Sequence, residues 1–343
     1  MRIATYNVEW FANLFGRQNR LLLDDAWSGR ENVTRAQQIE ALAKVFTAIN
    51  ADLVMVVEAP NTGHGQSSGA ALEHFAKTFD LRASRAVEGF ENETHQEISL
   101  LHDPYTCTAR HDPIGDPTGA HMPGEAARFD GTLKLDLDTD GIQEVIRFSK
   151  PPLEAEVIAK DGAAIRLIGV HVKSKAPHGA TSKDEEIAIS IANRRKQMAQ
   201  CIWIRKRVEA HLAAGESVIV LGDLNDGPGL DEYETLFGHS GVEVVMGCNG
   251  HADRRLYDPH AMAAMSPRAG HRPATSRFYL HDRGIYLNAL LDYIMVSPDL
   301  RTRAQRWQIW HPFDNPKCYG DAELREALLL ASDHFPVTLD IDL

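Results

Sequence analysis

The sequence predicts one α/β domain in which helices cover two β-sheets. Three observations indicate this fold class: short apolar strand patterns recur along the chain, helical patterns stand near its start and middle, and hairpin patterns lie between them. The 343 residues contain no internal repeat, no low-complexity tract and no linker of the length that separates domains. We therefore expect residues 1–343 to form a single domain.

The first part of the chain contains two strand patterns and two helix patterns. Residues 2–8 alternate like a short strand, and residues 33–49 place apolar side chains at helical spacing. Residues 51–61 are a continuous apolar run that ends in polar residues, which is typical of a buried strand. Residues 69–79 resemble another helix. A strand–helix–strand–helix order is thus expected at the start.

Two hairpin patterns follow in the middle of the chain. Residues 131–148 contain two alternating stretches around the Asp-Gly pair at 140–141, and residues 154–175 contain two more around the Asp-Gly pair at 161–162. Asp-Gly is a favoured pair in two-residue turns, because both positions adopt positive φ. Each segment is therefore predicted to form a β-hairpin.

The second half begins with a long helix pattern at 184–213 and an apolar strand pattern at 217–226. Residues 227–288 are rich in Gly, Pro, His and Arg and show little periodicity, so we expect long surface loops there. The chain returns to strand patterns at 289–297, 304–310 and 335–341.

The charge balance limits the classes of partner. The formal net charge is −12, from 36 Lys and Arg against 48 Asp and Glu. Proteins that grip nucleic acid without sequence preference usually present a basic surface, because counterion release drives that binding. The acidic balance disfavours this class, but it is compatible with a hydrolase whose metal and local cations neutralise one phosphate.

Two further features concern location. No apolar run reaches the roughly 18 residues that a membrane-spanning helix needs, and the first residues lack the pattern of a signal peptide. The four cysteines are far apart and form no zinc-binding spacing, which favours reduced thiols over a disulfide. We therefore expect a cytoplasmic protein without a membrane anchor.

Polar residues recur where the apolar strand patterns begin or end. The set is Asn7, Glu58, His171, Asp223, Asn225, Asp292, Asp333 and His334. Any one of them alone would be an ordinary turn or cap residue, but their recurrence at strand ends is typical of an assembled site. Carboxylate and amide oxygens suit Mg²⁺, and a histidine beside a carboxylate can transfer protons near neutral pH. The histidines are too dispersed for a typical three-ligand zinc site.

Six segments at these strand ends form an ordered set. They are TYNVEWF (5–11), VVEAPN (56–61), GVHVKSK (169–175), GDLND (222–226), LDYIMVS (291–297) and SDHFPV (332–337). They resemble the successive motifs of the endonuclease/exonuclease/phosphatase superfamily and span nearly the whole chain. The resemblance implies a four-layer α/β/β/α sandwich with two mixed β-sheets packed face to face. It also implies a metal-dependent phosphoesterase.

The resemblance further implies roles for the polar set. Glu58 would be the principal ligand of Mg²⁺, or of Mn²⁺ in its place, with Asn7 and Asp333 nearby. Asp223 would activate or position the attacking water.

The remaining members of the set would contact the phosphate or support that contact. Asn225 would hold the phosphate, and His334 would contact the phosphoryl group while Asp292 orients it. His171 would bind a phosphate oxygen or assist the leaving group.

Four basic residues are further candidates for substrate binding. Arg128, Arg147 and Lys150 flank a segment, RFSKPPLEAEV, that resembles an Arg- and Pro-rich stretch of the family. Arg194 lies on the apolar face of the long helix, where a cation needs an anionic partner. Arg194 would either support the edge of the site or form a structural ion pair. The loops at 251–283 would be either a recognition surface or merely hydrated.

Three functions fit these residues. The first is a nuclease or nucleotide phosphodiesterase acting on DNA, RNA or nucleotides, although the chain lacks the Gly-Tyr-Ser-Gly-like segment of exonuclease III relatives. The second is a phosphatase or phosphodiesterase of a small metabolite or lipid head group, although no exposed apolar hairpin of the membrane-acting branches is apparent. The third, a catalytically silent binding protein, is disfavoured by the intact polar set. No protein partner is predicted.

Overall fold

The computed structural model describes most of the chain. The described residues are 1–63, 65–94, 96–118, 121, 125–137, 141–177, 179–229, 234–266, 272–280 and 284–343.

The strands form two mixed sheets and two short ribbons within these residues. The strands are β1 (Arg2–Asn7), β2 (Leu53–Ala59), β3 (Arg85–Glu88), β4 (Glu97–His102), β5 (Cys107–His111), β6 (Leu133–Leu135), β7 (Glu144–Ile146), β8 (Leu153–Ala159), β9 (Ala164–His171), β10 (Val218–Asp223), β11 (Ser276–Leu280), β12 (Ile285–Ala289), β13 (Asp292–Val296), β14 (Ala304–Ile309) and β15 (Val337–Ile341). The first sheet has the order β14-β15-β1-β2-β4-β3, and the second has the order β13-β10-β9-β8-β5. The ribbons are β6–β7 and β11–β12.

The two sheets pack face to face around a central apolar core. Ile3 and Met55 of the first sheet are fully buried in this core. Leu167, Ile219 and Ile294 of the second sheet are buried in the same cluster. Because side chains alternate along a strand, the neighbouring residues of these strands point to the outer faces of the sheets. Those outer faces need helices to cover them.

Helices supply this cover on both sides. They are α1 (Arg35–Ile49), α2 (Ser68–Thr78), α3 (Lys183–Ala213), α4 (Glu234–Phe237), α5 (Gly241–Met246), α6 (Pro259–Met265), α7 (Pro316–Gly320) and α8 (Ala322–Ala331). Leu42 of α1, Phe75 of α2 and Leu328 of α8 share a buried cluster with Tyr6 of the first sheet. Trp203 of α3 shares another with strands of the second sheet. The predicted α/β/β/α sandwich is confirmed.

Local sequence signals explain where the main helices begin. Thr34 and Gln37 form a capping box at the start of α1, in which each side chain accepts a hydrogen bond from the other residue's backbone. Ser182 caps α3, and acidic residues follow in its first turn, where they favour the positive end of the helix dipole. The helices predicted at 33–49, 69–79 and 184–213 therefore appear within about two residues of their predicted bounds.

Both predicted hairpins contain the expected antiparallel strand pair. Strands β8 and β9 pair antiparallel around residues 160–163, as predicted. Strands β6 and β7 also pair antiparallel, with Leu135 opposite Glu144, and the turn predicted at 140–141 falls partly outside the described residues. Residues 138–140 lie outside the described part of the chain.

The prediction of long loops at 227–288 is wrong in part. Helices α5 and α6 and the β11–β12 ribbon lie in this segment. Val242 and Val245 of α5 and Ala261 of α6 are buried against the second sheet. These elements are too short to show a clear period, so the abundance of Gly, Pro and His dominated the sequence pattern. Strands β3 to β5 and helices α7 and α8 were not predicted.

Two general features complete the fold. Among the described helices, none combines the length and the apolar character required to cross a bilayer. The four cysteines are free, and Cys107, Cys201 and Cys318 are buried.

Candidate active site

Three strands of the second sheet align one row of polar side chains. Strand β10 runs parallel to β9 and antiparallel to β13. The register places Asp223 beside His171 on one side and beside Asp292 on the other. These residues are separated widely along the chain, and the strand register alone brings them into a row. All three are almost fully buried.

The first sheet contributes Asn7 and Glu58 from two adjacent strands. Asn7 of β1 lies opposite Val57 of β2, so Glu58, the next residue of β2, lies close to Asn7. Glu58 lies at an irregularity in the pairing of β2 with β4 and has a φ of 57°. A left-handed backbone costs a residue with a Cβ about 1 to 2 kcal/mol, and such strain concentrates at functional sites. Asn225 has the same unusual backbone, with a φ of 49°.

A direct hydrogen bond connects the two sheets at this edge. The Asn7 amide nitrogen donates to Asp223 Oδ2 over 3.0 Å. Asn7 Oδ1 is buried and accepts no hydrogen bond from the described residues. A buried amide oxygen without a donor normally indicates a missing partner, such as a cation or water. Asn7 therefore offers one oxygen ligand next to Glu58 and Asp223.

His171 lies between two carboxylates and a lysine. Its Nε2 is 3.9 Å from Glu58 Oε1, 3.7 Å from Asp223 Oδ2 and 3.1 Å from Lys150 Nζ. Burial, with the positive charge of Lys150 added, holds the pKa of His171 well below its ordinary value. Burial also lowers the pKa of Lys150, against the opposing effect of Glu58 and Asp223. A neutral His171 can accept a hydrogen bond from Lys150 through Nε2.

His334 and Asp292 form a buried pair. His334 Nδ1 is 2.7 Å from Asp292 Oδ2. Burial opposes the charged imidazolium, but the charge and hydrogen bond of Asp292, together with the charges of Asp223 and Asp333, outweigh it, and the pKa of His334 lies well above its ordinary value. The backbone N–H of Asp292 donates to Thr275 Oγ1 over 3.0 Å, which fixes the backbone that carries this carboxylate. His334 is therefore held as a cation with Nε2 free of this pair.

A serine connects this pair to the first sheet. Ser332 Oγ accepts the backbone N–H of His334 at 3.1 Å and donates to the Asn7 carbonyl oxygen at 2.8 Å. The chain segment that carries Asp333 and His334 is thus hydrogen-bonded to the end of β1.

Asp223, Asp292 and His334 bring one potential ligand atom each to within 4.8 Å of one another. Burial raises the pKa of Asp223 to about 7, and the charge of His334 opposes that rise. A protonated imidazolium cannot ligate a metal, since its nitrogens carry hydrogens. In this arrangement the trio is held together by charge pairing with His334. The oxygens of Asn7, Glu58 and Asp333 are the better candidates for a hard cation.

The predicted substrate-binding residues separate into two groups. Lys150 lies in the site, next to His171. Arg194 is buried in α3 with Nη1 3.6 Å from Asp226 Oδ1, so it has the anionic partner that its position requires. Arg128 pairs with Asp130 at 2.8 Å, and the side chain of Arg147 is exposed. The structure does not bring Arg128 or Arg147 into contact with the polar row.

Sequence reasoning missed several residues that shape the site. Glu9 pairs with Arg30, and burial together with the charge of Asp333 raises the pKa of Glu9 to about 7. Thr275 and Ser332 position the His334–Asp292 pair. Glu9 could have been noticed as the polar residue two positions after Asn7. No sequence pattern indicated Thr275, because it lies in the segment that resembled loops.

Fold and site together define a metal-dependent phosphoesterase. The Endonuclease/Exonuclease/phosphatase family model matches residues 4–334, and the chain belongs to this family. Members of the family are divalent-metal-dependent phosphoesterases and nucleases, so the chain is an enzyme of that kind. The resemblance predicted from the ordered motifs is confirmed.

Solved structures share the fold at low sequence identity. A 3'-5' exonuclease from Neisseria meningitidis is 14% identical with a TM-score of 0.51, and the match covers 100% of both chains. A mannosyl-6-phosphatase from Bacteroides thetaiotaomicron is 12% identical with a TM-score of 0.50, again over 100% of both chains. At these identities the likeness extends to the fold and not to the substrate. A search of curated protein sequences found no match.

Proposed function

We propose that the protein is a Mg²⁺-dependent phosphodiester hydrolase that acts as a nuclease or nucleotide phosphodiesterase. The observation that carries the proposal is the row His171–Asp223–Asp292, which two strand registers align next to the His334 cation. A buried carboxylate between histidines can position a water, while the flanking cations bind a phosphoryl group.

Glu58, Asn7 and Asp333 would hold the metal. Their oxygens match the preference of Mg²⁺, and the buried Asn7 Oδ1 has no donor among the described residues. Burial raises the pKa of Glu58, which indicates a carboxylate that gains from a nearby cation. When bound, Mg²⁺ would supply charge neutralisation to the phosphate and to the departing oxygen, and Mn²⁺ could replace it.

Asp223 would position the attacking water and accept its proton. Its carboxylate is held by the amide groups of Asn7 at 3.0 Å and Asn225 at 3.1 Å. The Asn225 amide nitrogen also donates to the Val172 carbonyl over 3.0 Å, so both of its N–H bonds are used. We therefore assign Asn225 to positioning Asp223, in place of the phosphate contact that the family resemblance implies.

His334 would donate from Nε2 to a phosphoryl oxygen. Asp292 fixes Nδ1 at 2.7 Å, which orients the ring and favours its charged form. Because the His334 cation is already oriented, it would stabilise the charge that develops on the phosphoryl oxygens without reorganisation.

Lys150 and His171 would bind the substrate phosphate on the side of Asp223 that is opposite Asp292 and His334. The lysine adds a second positive charge, and the neutral His171 offers a proton acceptor or donor to the phosphate or leaving oxygen. Arg194 would act through Asp226, which lies in the loop that follows β10. We further propose that the chain functions as one cytoplasmic domain.

The test compares the wild type with Glu58→Gln and His334→Ala, and with Glu40→Gln as a matched surface control. Plasmid DNA, single-stranded DNA, RNA, bis-(p-nitrophenyl) phosphate and p-nitrophenyl phosphate would each be incubated with Mg²⁺, with Mn²⁺ or with EDTA. We expect diester cleavage that EDTA and both site variants abolish and that Glu40→Gln preserves.

Other outcomes would change the assignment. Cleavage confined to p-nitrophenyl phosphate would make the protein a phosphatase of a small phosphorylated molecule. Diester cleavage that persists in His334→Ala and in EDTA would refute the proposed site.

A further inference from the structure

A cleft of about 1160 Å³ adjoins the proposed active site. It lies between the segment that follows β1, including residues 9–33, and the β11–β12 ribbon. Ser332 and Asp333 form part of its wall, so the cleft begins at the catalytic edge. A substrate whose scissile phosphate contacts His334 can extend into this space.

Two tryptophans of the first segment line the cleft. Trp10 is 46% exposed and Trp27 is 69% exposed, although large aromatic side chains are usually buried. The Trp10 Nε1 donates to Glu9 Oε1 over 2.9 Å, and the Trp27 Nε1 donates to the Arg30 carbonyl over 2.6 Å. Both indoles therefore have their polar edge satisfied within the segment.

A glycine fixes the position of one of these rings. Gly29 has a φ of 110°, and a Cβ at this position would lie 2.7 Å from Trp10 Cγ. The Trp10 indole therefore packs directly on the Gly29 backbone. Rings that are held before a ligand arrives lose little conformational entropy on binding.

The β11–β12 ribbon forms the opposite wall. Tyr279 and Tyr286 are a cross-strand pair with ring centroids 5.0 Å apart. Arg277 lies on the same face of the ribbon, with its guanidinium carbon 3.5 Å from the centroid of the Tyr286 ring. No sequence pattern indicated this ribbon, which exposes aromatic and aliphatic side chains beside the site.

Arg277 is the cation of this wall that is placed to meet a phosphate. Its backbone N–H donates to the Asp333 carbonyl over 2.8 Å, which attaches it to the catalytic segment. Its guanidinium stacks on Tyr286 and lies 5.3 Å from the Phe313 ring centroid, and no carboxylate of the described residues pairs with it. A stacked guanidinium retains N–H donors at its edge, and these suit phosphate oxygens.

We propose that this cleft binds the unpaired bases of a single-stranded nucleic acid next to the scissile phosphate. Trp10, Trp27 and Tyr279 would stack with bases, and Arg277 would contact a neighbouring phosphate. The inference rests on the proposed phosphodiester hydrolysis and specifies its substrate.

Two properties of the chain favour a single strand over a duplex. Bases expose their faces to aromatic side chains only when they are unpaired. The net charge of −12 disfavours binding to a duplex backbone, which depends on many basic contacts, whereas stacking requires few of them. Binding through stacking and Arg277 should also depend only weakly on salt.

The test measures binding in EDTA, so that no turnover is required. The probes are a labelled oligothymidylate, an oligomer of the same length in which abasic spacers replace every nucleoside, and a duplex of the same length. Fluorescence anisotropy would give each Kd over a range of salt concentrations. We expect oligothymidylate to bind at least about tenfold more tightly than the other two, since stacking on one side chain contributes roughly this factor.

The variants separate stacking from charge. Trp27→Ala should weaken oligothymidylate binding about tenfold and leave the abasic oligomer unchanged. Arg277→Ala should weaken both single strands by a similar factor, because the phosphate is common to them. Tyr105→Ala, at a site 77% exposed and outside the cleft, is the aromatic control. Arg301→Ala is the control for a stacked arginine, since Arg301 lies 4.2 Å from the Tyr257 ring centroid at the far end of β13.

The possible failures are distinguishable. Equal affinity for oligothymidylate and the abasic oligomer, or tighter binding of the duplex, would overturn the inference. If bis-(p-nitrophenyl) phosphate is still cleaved in that case, the proposed function stands without it. Quenching of tryptophan fluorescence by mannose 6-phosphate that Trp27→Ala abolishes, with no quenching by oligothymidylate, would overturn the inference and assign the cleft to a sugar phosphate. Absence of all diester cleavage would refute the proposed function itself.

Discussion

Replacing Asp292 with asparagine separates the charge of the His334–Asp292 pair from its shape. Asparagine has nearly the same volume, and the backbone N–H at this position still donates to Thr275 Oγ1 at 3.0 Å. The change removes the negative oxygen that lies 2.7 Å from His334 Nδ1. His334 then loses the partner that does most to favour its charged form against burial.

The expected loss follows from this contact. A hydrogen bond to a charged group contributes about 1.5 to 3 kcal/mol, and a positioned proton-transfer group contributes about 10²- to 10⁴-fold to the rate. We expect kcat/KM for bis-(p-nitrophenyl) phosphate to fall about 10²- to 10³-fold. The Tm should fall, because the substitution removes the charge of one member of a buried pair and leaves His334 without its anionic partner.

A double variant provides the stricter test. If the pair acts as a unit, Asp292→Asn should cost little more in the background of His334→Ala, since the cation that it supports is already absent. Losses that multiply in the double variant would show that the two residues act independently. Asp292→Asn activity within about threefold of the wild type, in protein that is folded at the assay temperature, would refute the reasoning.

Three other predictions address residues around this pair. Lys150→Met should lower kcat/KM for the same diester about 10- to 100-fold, because it removes a cation 3.1 Å from His171, and Lys150→Arg should restore part of the loss. Arg194→Met should lower the free energy of unfolding, measured in urea, by about 2 to 4 kcal/mol, because it leaves Asp226 with one cation fewer. If Arg194→Lys leaves both activity and stability unchanged, Arg194 has no specific role. Burial raises the pKa of Glu97 to about 7 from an ordinary 4.5. The folded protein therefore binds this proton more tightly than the unfolded chain does, and the resulting contribution to the free energy of unfolding is complete below about pH 4.5 and is lost as the pH rises through 7. Glu97→Gln should therefore gain about 1 to 2 kcal/mol relative to the wild type between about pH 5 and pH 8, and a change of the opposite sign would contradict this assignment.

The β11–β12 ribbon shows why the substrate is harder to predict than the chemistry. Its two strands are short, and the aromatic side chains of their cross-strand pair, Tyr279 and Tyr286, are exposed. A strand that is not half-buried has no apolar alternation, which is the pattern by which strands are identified. Arg277 and Tyr286 acquire significance only through their distance from each other and from Asp333.

The sequence by itself determined the main strands that carry the site, the three long helices and the chemical character of the site. Apolar runs that stop at Asn7, Glu58 and Asp223 are local patterns, and local patterns follow from side-chain periodicity and burial. The order of the motifs then identified the family. Tertiary structure alone decided which of these residues meet. Asn7 reaches Asp223 and Asp292 reaches His334 only through strand register and sheet packing, which depend on contacts between residues distant in the chain. The same long-range packing exposed Trp27 beside the catalytic edge and left Arg128 outside it.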